Sequence, residues 1–500
     1  MGGNHPSHVV VIGAGIGGLA VAARLAHAGW KVTVFEKQDK PGGRVGSVVH
    51  QGFHFDTGPT LYLMPEVFDQ TFSDLDRRCE DYYELIKVNP NYRIHFHDGD
   101  HIQLQSDLTA MERELNRFEP GVMTRYLEFL AEGGRSYDVS LKKFLSRNFR
   151  SLGEFFAPAH LPLMFQLRVL KKHYAETARY FHSDKLRRAL TFQTMYLGSS
   201  PFDSLATYTL LQYTELVNGI YFPRGGLYAV VEAFARILRE QGVELICDAP
   251  VKEILLEGRR ATGVLLEDGT RVAADAVVAN ADLPYVYDAL LPHPDARQEA
   301  GRLKRKKYTS SAVMFYWGLD RRYERELPVH HNIFLAEDYK GSFEQIFSGY
   351  RAPVDPSFYV SAPARTDPSY APPGQESLVV LVPVGHLEDG VQIDWPQQSA
   401  AIKAHVLRRL ADFGVTDLQR HLVFEACYTP RYYRDALNLM KGSAFSLAHD
   451  FLQVGYFRPH NKADRFENLY FVGGATHPGT GVPIVLISAK LTAERVMQGN

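Results

Sequence analysis

Three glycines near the amino end have the spacing of a pyrophosphate-binding turn. Gly13, Gly15 and Gly18 follow an apolar, β-branched run at residues 8–12, and a stretch rich in Ala and Leu follows them up to Gly29. The first glycine permits a tight turn, the second lets the backbone approach a phosphate, and the third allows close helix–strand packing. The pattern predicts a strand, a turn and a helix whose N-terminal N–H groups face an anion.

An acid and an arginine extend this pattern. Glu36 ends a second predicted strand, where a carboxylate can accept hydrogen bonds from ribose hydroxyls. Strand, glycines, helix, strand and acid together predict a βαβ dinucleotide-binding unit. The stretch 41–44, which ends in Arg44, resembles the extended flavin fingerprint of glutathione-reductase-like and amine-oxidase-like proteins, where a rigid arginine helps to hold the pyrophosphate. Residues 56–60 resemble the next flavin-contacting turn of the same proteins.

The cofactor pattern favours FAD over NAD. A second Gly-x-Gly-x-x-Gly is absent, and the three cysteines, Cys79, Cys247 and Cys427, are far apart in the sequence. This spacing disfavours a disulfide framework, a dithiol redox pair and a zinc site, so we predict no metal centre. An NAD(P)H–disulfide reductase is therefore disfavoured. We expect the flavin to take electrons from the substrate and to pass them to oxygen, a quinone or another acceptor.

Bulk composition restricts the class of protein further. The chain of 500 residues is 45% hydrophobic and 22% charged, with a net charge of -2. A nucleic-acid binder would usually carry a strong basic excess, so we expect no nucleic-acid partner. The length predicts two or three domains. No run of 18 uncharged apolar residues occurs, so we predict no membrane-spanning helix.

A second glycine-rich motif lies near the carboxyl end. Residues 473–483 read Gly-Gly-Ala-Thr-His-Pro-Gly-Thr-Gly-Val-Pro and stand between a predicted strand and a predicted helix. Such a turn offers backbone N–H groups, which could contact the flavin or its ribityl chain. The alternative is an ordinary loop between the last strand and the last helix.

These motifs together resemble the carotenoid desaturase family, the phytoene desaturases of the bacterial and fungal type. The resemblance covers nearly the whole chain. Its specific parts are the terminal Thr-His-Pro-Gly-Thr-Gly-Val-Pro stretch and the segments 200–208, 211–215 and 221–226, which are closest to the fungal branch. The first 45 residues are shared with many flavoproteins.

The resemblance implies a set of FAD contacts and a fold. The contacts are expected at Gly13, Ala14, Gly15, Ile16, Gly17, Gly18, Glu36, Lys37, Gly43, Arg44, Gly58, Pro59, Thr60, Val251, Gly474 and Val482. The fold is α/β: a Rossmann-like FAD-binding domain of the glutathione-reductase and amine-oxidase type, interleaved with a mixed-sheet substrate domain and a helical, membrane-facing subdomain. We assign the FAD-binding domain to 1–70, 216–285 and 461–500, the substrate domain to 71–140 and 286–460, and the helical subdomain to 141–215.

The implied reaction is the introduction of double bonds into phytoene or a similar long polyene. Family-style desaturation removes a hydride to the flavin and a proton from the neighbouring carbon. His477 is a weak candidate for the base, as the titratable side chain of the terminal motif, although a structural histidine is the favoured interpretation. Asp203 and Glu215 are weaker candidates, and we expect them to serve as helix caps or ion-pair members.

An apolar segment with flanking cations indicates contact with a membrane surface. Residues 155–165 are apolar but broken by prolines, which suits an interfacial element rather than a span. The flanking cations are Lys142, Lys143, Arg147, Arg150, Arg168, Lys171 and Lys172. The chain ends at Asn500 without the apolar terminal segment often present in the fungal branch. We therefore expect peripheral attachment on the cytoplasmic side of a membrane; the alternative is an ordinary helical subdomain with solvated charges.

Two other functions remain open at this point. An amine or porphyrinogen oxidase would share the amino-terminal signature but would need a different carboxyl-terminal motif and a pocket for a polar substrate. A non-enzymatic prenyl-lipid-binding protein of the GDP-dissociation-inhibitor type would share a related fold. The intact cofactor fingerprint argues against the second alternative.

Overall fold

The computed structural model describes residues 7–499. Gly2 is not expected to be myristoylated, because Pro6 stands where the myristoylation motif needs Ser or Thr. Both residues lie outside the described range. The strands of the described range are β1 (His8–Ile12), β2 (Lys31–Phe35), β3 (Ser47–His50), β4 (Phe53–Asp56), β5 (Leu85–Val88), β6 (Tyr92–His95), β7 (His101–Leu104), β8 (Ile220–Pro223), β9 (Glu244–Ile246), β10 (Val251–Glu257), β11 (Arg260–Leu266), β12 (Arg271–Ala273), β13 (Ala276–Ala279), β14 (Ser311–Leu319), β15 (His331–Phe334), β16 (Phe358–Ser361), β17 (Glu376–Val384), β18 (Leu422–Tyr428) and β19 (Leu469–Phe471).

The helices vary from single turns to five turns. They are α1 (Ile16–His27), α2 (Pro65–Ser73), α3 (Leu108–Asn116), α4 (Met123–Val139), α5 (Leu152–Phe155), α6 (Leu161–Gln166), α7 (His173–Thr177), α8 (Asp184–Ala189), α9 (Leu210–Tyr213), α10 (Tyr228–Glu240), α11 (Leu283–Tyr285), α12 (Pro294–Lys304), α13 (Tyr339–Phe347), α14 (Trp395–Asp412), α15 (Pro430–Asp435) and α16 (Val482–Gln498). Wider π-helical turns continue three of them, at Ser140–Leu145, Thr214–Asn218 and Val286–Leu290.

A five-stranded parallel sheet positions the glycine-rich turn. Its order is β19-β13-β1-β2-β9. Helix α1 packs against α10 and α16, and the antiparallel sheet β10-β11-β12 contacts β13 through β11. Because these elements cover both faces of the parallel sheet, β1 and β13 are continuous apolar runs in the sequence. The predicted strand, turn, helix and strand at the amino end are confirmed.

A seven-stranded mixed sheet forms the second large sheet of the protein. Its order is β18-β14-β17-β16-β15-β6-β7, with β15 and β6 parallel and the other pairs antiparallel. The strands of the first sheet fall in the three segments assigned to the FAD-binding domain. Those of the second fall in the segments assigned to the substrate domain.

Short helices fill most of the chain between β7 and β8. Helices α4 and α9 pack against each other, and Phe144, Phe149, Phe155, Met164 and Leu167 form a small apolar cluster of their own. Across residues 7–499, no helix combines the length and the apolarity that crossing a membrane requires.

Candidate active site

One cavity of about 780 Å³ connects the first sheet with residues 141–215, which we call the helical segment. At one end it is lined by the turn after β1, at the other by apolar side chains of the helical segment and the second sheet. Its volume lies in the range of sites that bind small molecules and cofactors. The two ends differ in chemistry, so we describe them separately as the dinucleotide end and the apolar end.

The glycine turn of the dinucleotide end is held by backbone contacts. The Gly13 N–H donates to the Phe35 carbonyl (2.7 Å), which fixes the turn against the end of β2. A Cβ at Gly18 would overlap the Gly13 carbonyl oxygen, so no larger residue fits between α1 and β1. A Cβ at Gly15 would lie 2.7 Å from Asn280 Oδ1, where the chain leaves β13. The turn therefore presents bare backbone to the cavity.

Glu36 ties the two predicted strands to the turn. Its carboxylate is buried and accepts hydrogen bonds from the Ala14 N–H (2.7 Å) and the Gln38 N–H (3.0 Å). Each carboxylate oxygen has further lone pairs, and Glu36 also lines the cavity. It can therefore fix the turn and still accept hydrogen bonds from a ribose.

Arg44 and Asp282 both line the cavity, and each influences the pKa of the other. Arg44 Nη1 donates to the Ala444 carbonyl (3.3 Å), and burial lowers the pKa of the guanidinium while Asp282 opposes that shift. The Asp282 carboxylate accepts from the Met440 N–H (2.9 Å) and the Ser446 hydroxyl (2.9 Å), yet burial raises its pKa. An arginine of this kind, with most of its donors still available, suits a pyrophosphate.

Arg458 organises the carboxyl-terminal turn. This fully buried side chain donates to the carbonyl oxygens of Leu447, Ala448, Gln453, Gly474 and Thr476. Burial lowers its pKa to about 10. The five hydrogen bonds hold the glycine-rich turn 473–481 beside the cavity, because they join it to the chain around residue 450. The last turn and the first therefore line the same cavity.

The apolar end collects side chains from distant parts of the sequence. The chain just before α2, the helical segment and the second sheet all contribute to its wall. Prominent members are Leu63, Phe144, Phe155, Met164, Leu167, Phe192, Leu211, Met314, Ile333 and Phe358. A long apolar molecule could be buried here with part of its length next to the dinucleotide end.

Comparison with known proteins decides the family. The profile "Flavin containing amine oxidoreductase" matches residues 16–497. A zeta-carotene-forming phytoene desaturase of Myxococcus xanthus is 49% identical over 98% of this chain and 93% of its own length. A phytoene desaturase of Phycomyces blakesleeanus is 45% identical over 98% and 85%. A 4,4'-diapophytoene desaturase of Staphylococcus haemolyticus is 35% identical over 98% of each.

The chain belongs to the phytoene desaturase family. It is therefore an FAD-dependent oxidoreductase within the flavin-containing amine oxidoreductases, as the resemblance implied. The relatives include a bacterial protein from Myxococcus and a fungal one from Phycomyces, which agrees with the bacterial and fungal type that the motifs resemble.

Solved structures support the fold. An oxidoreductase from Methanosarcina mazei matches with a TM-score of 0.66 at 16% identity, over 97% of this chain and 100% of its own. Putrescine oxidase bound to putrescine matches with a TM-score of 0.65 at 15% identity, over 99% of both chains. This phytoene desaturase homologue thus has an amine-oxidase-type α/β fold with mixed sheets.

The residues at the dinucleotide end fit FAD. The turn offers bare backbone that suits a pyrophosphate, the Glu36 carboxylate suits ribose hydroxyls, and the half-buried Arg44 lines the same cavity. Of the predicted contacts, those that line the cavity are Gly13, Gly15, Ile16, Gly17, Glu36, Lys37, Gly43, Arg44, Gly58, Pro59, Thr60, Val251, Gly474 and Val482. Ala14 and Gly18 lie behind the wall, where Ala14 binds Glu36 and Gly18 packs on Gly13.

The structure places the suggested bases away from the cavity wall. The His477 ring faces two backbone carbonyls, Arg147 O (2.9 Å from Nε2) and Gly455 O (3.3 Å from Nδ1), and burial lowers its pKa to about 4. This is the structural role that the sequence favoured. Asp203 is 74% exposed and lies 3.7 Å from Lys172 Nζ, as an ion-pair member.

Glu215 corrects the expectation of a cap or an ion pair. It is fully buried, neither of its oxygens has a hydrogen-bond partner within residues 7–499, and burial raises its pKa to about 8. The side chain lies in the π-helical turn behind the apolar end, close to Gln193 and Tyr92. It does not line the cavity.

Three residues at the dinucleotide end were not predicted. Asn280 follows β13 and donates from Nδ2 to the Val472 carbonyl (2.9 Å), which joins the end of β13 to the end of the edge strand β19. Asp282 follows it. Both stand at the carboxyl edge of a parallel sheet, the usual place for ligand contacts, and this signal could have found them. No sequence signal marks Arg458, because its partners are carbonyl groups of irregular chain.

Proposed function

We propose that the protein is an FAD-dependent desaturase of a long polyene, phytoene or a similar hydrocarbon, acting in carotenoid formation towards lycopene-type products. The observation that carries the proposal is the single cavity that joins the dinucleotide end to a long apolar wall. The similarity to the phytoene desaturases of Myxococcus and Phycomyces supports it. The residue assignments at the dinucleotide end are part of this proposal.

The chain would bind FAD and the polyene substrate by different forces. Glu36 and Arg44 would bind the ribose and the pyrophosphate, and the last glycine-rich turn would lie against the flavin. Bound FAD would supply the two-electron oxidation by accepting one substrate hydrogen with its electron pair. The hydrocarbon offers no polar handle, so its binding rests on apolar burial, worth about 0.8 kcal/mol for each buried CH2.

A substrate test separates desaturation from amine oxidation. The purified yellow holoprotein would be supplied with phytoene in liposomes and, separately, with putrescine and other amines. We expect conjugated polyene products from phytoene and no flavin reduction by amines. Unchanged phytoene in the presence of folded flavoprotein would contradict the proposal. A protein that takes up no FAD would instead favour a prenyl-lipid-binding role.

The final electron acceptor is also a proposal. We expect oxygen or a quinone to reoxidise the flavin. The phytoene assay would be repeated without oxygen, with and without a lipid-soluble quinone. Turnover that survives only with the quinone identifies a quinone acceptor, and turnover that requires air identifies oxygen.

We infer that the helical segment attaches the protein peripherally to the cytoplasmic face of a membrane. Phe165 is 80% exposed and Leu170 is 79% exposed, whereas Met164 and Leu167 line the cavity. The same short stretch therefore faces the apolar cavity on one side and the outside on the other. The flanking lysines and arginines suit anionic headgroups.

Vesicle flotation tests this attachment. Phe165→Asp and Leu170→Asp should weaken binding to vesicles with anionic lipid, because each places a charge among the acyl chains. Val354→Asp is the matched control, since Val354 is 87% exposed and lies outside the helical segment. Flotation that the first two substitutions leave unchanged, or that Val354→Asp reduces equally, rejects the placement.

A further inference from the structure

His449 lies between the cavity and the outside. Its side chain is 8% exposed and contributes to the wall of the cavity as well as to a charged surface groove. Leu205, Ser310 and Phe451 also line both. The imidazole therefore stands in a wall that the cavity and the groove share.

Both ring nitrogens of His449 lack a hydrogen-bond partner in the part of the chain that the structure describes. The Leu197 carbonyl comes near the ring without meeting hydrogen-bond geometry. Buried polar groups are nearly always paired, and an exception calls for a ligand, a water or a chemical role. His173 is also buried with an unpartnered nitrogen, but it does not line the cavity.

The ring also lies beside the carboxyl-terminal turn. A Cβ built on Gly479 would be 3.7 Å from His449 Nε2 and 3.7 Å from Arg458 Nε. Burial and the nearby Arg458 cation hold the pKa of His449 well below its usual range. The resting imidazole is therefore neutral and keeps a lone pair, next to the turn expected to contact the flavin.

Desaturation leaves one proton to be removed. After one hydrogen has left with its electron pair, the neighbouring carbon must lose a second hydrogen as H⁺. The electron pair of that C–H bond becomes the π bond of the new double bond. The chain must therefore offer a base at the wall of an otherwise apolar cavity.

We propose that the imidazole of His449 accepts this proton and passes it to water in the groove; the inference rests on the proposed function. A C–H bond next to an electron-deficient carbon is strongly acidic, so a weak neutral base is sufficient. The groove contains charged side chains such as Asp450 and Lys307, which pair at 3.0 Å, and it opens to solvent. The imidazolium can therefore return to the neutral form.

The first test replaces the base and keeps its size. His449→Gln should lower phytoene turnover per bound flavin about 100-fold or more, the usual contribution of a general base. Flavin absorbance, thermal stability and phytoene retained by the reisolated protein should match the wild type. His405→Gln is the control, because His405 is equally buried but lies on α14, outside the cavity wall.

Chemical rescue provides the second test. His449→Ala leaves space between the cavity and the groove, so added imidazole can enter and restore part of the turnover. Rescue should weaken with bases of lower pKa, such as pyrazole. Wild-type turnover in His449→Gln, a loss confined to phytoene binding, or no rescue of flavin-loaded His449→Ala overturns the proposal. Failure of the wild type itself to convert phytoene would reject the desaturase function instead.

Discussion

The two ends of the cavity are built in opposite ways. Backbone and a few short-range contacts make the dinucleotide end, as in the turn from Gly13 to Gly18 and the bond from Ala14 to Glu36. Side chains from many separate segments make the apolar end. A backbone site depends on the space around single atoms, whereas an apolar wall depends on total volume and on the absence of charge. The two ends should therefore respond differently to substitution.

The largest effect is expected at the dinucleotide end. Gly18→Ala places a methyl group on the Gly13 carbonyl oxygen, and backbone atoms cannot move away cheaply. We expect loss of bound FAD, measured by flavin absorbance of the purified protein. Gly301→Ala is the control, because a Cβ at that helical glycine would meet only the flexible Arg305 side chain, at an ordinary 3.8 Å; this substitution should stabilise the protein by up to about 1 kcal/mol. Retention of FAD by Gly18→Ala would show that the turn is less constrained than its contacts indicate.

The second-largest effect concerns Glu215, which is buried behind the apolar end and should make stability depend on pH. The pKa of Glu215 is raised from its ordinary value of 4.5 to about 8, so between these pH values the folded state keeps a proton that the unfolded state releases. The contribution of Glu215 to the free energy of unfolding should therefore fall as pH rises from 5 to 8, by at most about 1.4 kcal/mol for each pH step of one. Glu215→Gln should remove this contribution, so in urea titrations the free energy of unfolding of the wild type relative to the variant should fall as pH rises from 5 to 8.

Two further groups define the controls for that measurement. Asp56 is also buried, with its pKa raised to about 7, so some pH dependence should persist in Glu215→Gln. Asp203→Asn changes an exposed carboxylate and should leave the slope as in the wild type. Equal slopes in Glu215→Gln and the wild type would mean that Glu215 is ionised in the folded protein.

The smallest effect is expected on the apolar wall itself. Leu211→Asn keeps the branched shape of the side chain but exposes an amide to the hydrocarbon, which should raise the phytoene KM about tenfold, since burial of a leucine-sized group contributes about 1.5–3 kcal/mol. FAD content should not change, because Leu211 belongs to the apolar end. Leu211→Met is the control and should be tolerated. A loss of FAD in Leu211→Asn would show that the two ends are not independent.

Local patterns allowed part of this architecture to be predicted. The strand, turn, helix and strand at the amino end could be read from neighbouring residues, and so could the acid at Glu36, because hydrogen bonds within some 30 residues create them. The positions of Asn280 and Asp282 at the cavity could be predicted only from the order of the strands in the sheet. Arg458 and His449 carry no pattern at all, since irregular chain surrounds both.

By itself the sequence determined the cofactor class and the family, because glycine spacing and terminal motifs specify backbone geometry that few other structures need. Tertiary structure alone decided which residues share one cavity. Thr60, Met164, Leu211, Ile333 and His449 line the same space only after two sheets and the helical segment have packed together. Burial also decided that Glu215 is an unpartnered acid rather than a surface charge, since the environment of a carboxyl group depends on residues far away in the chain.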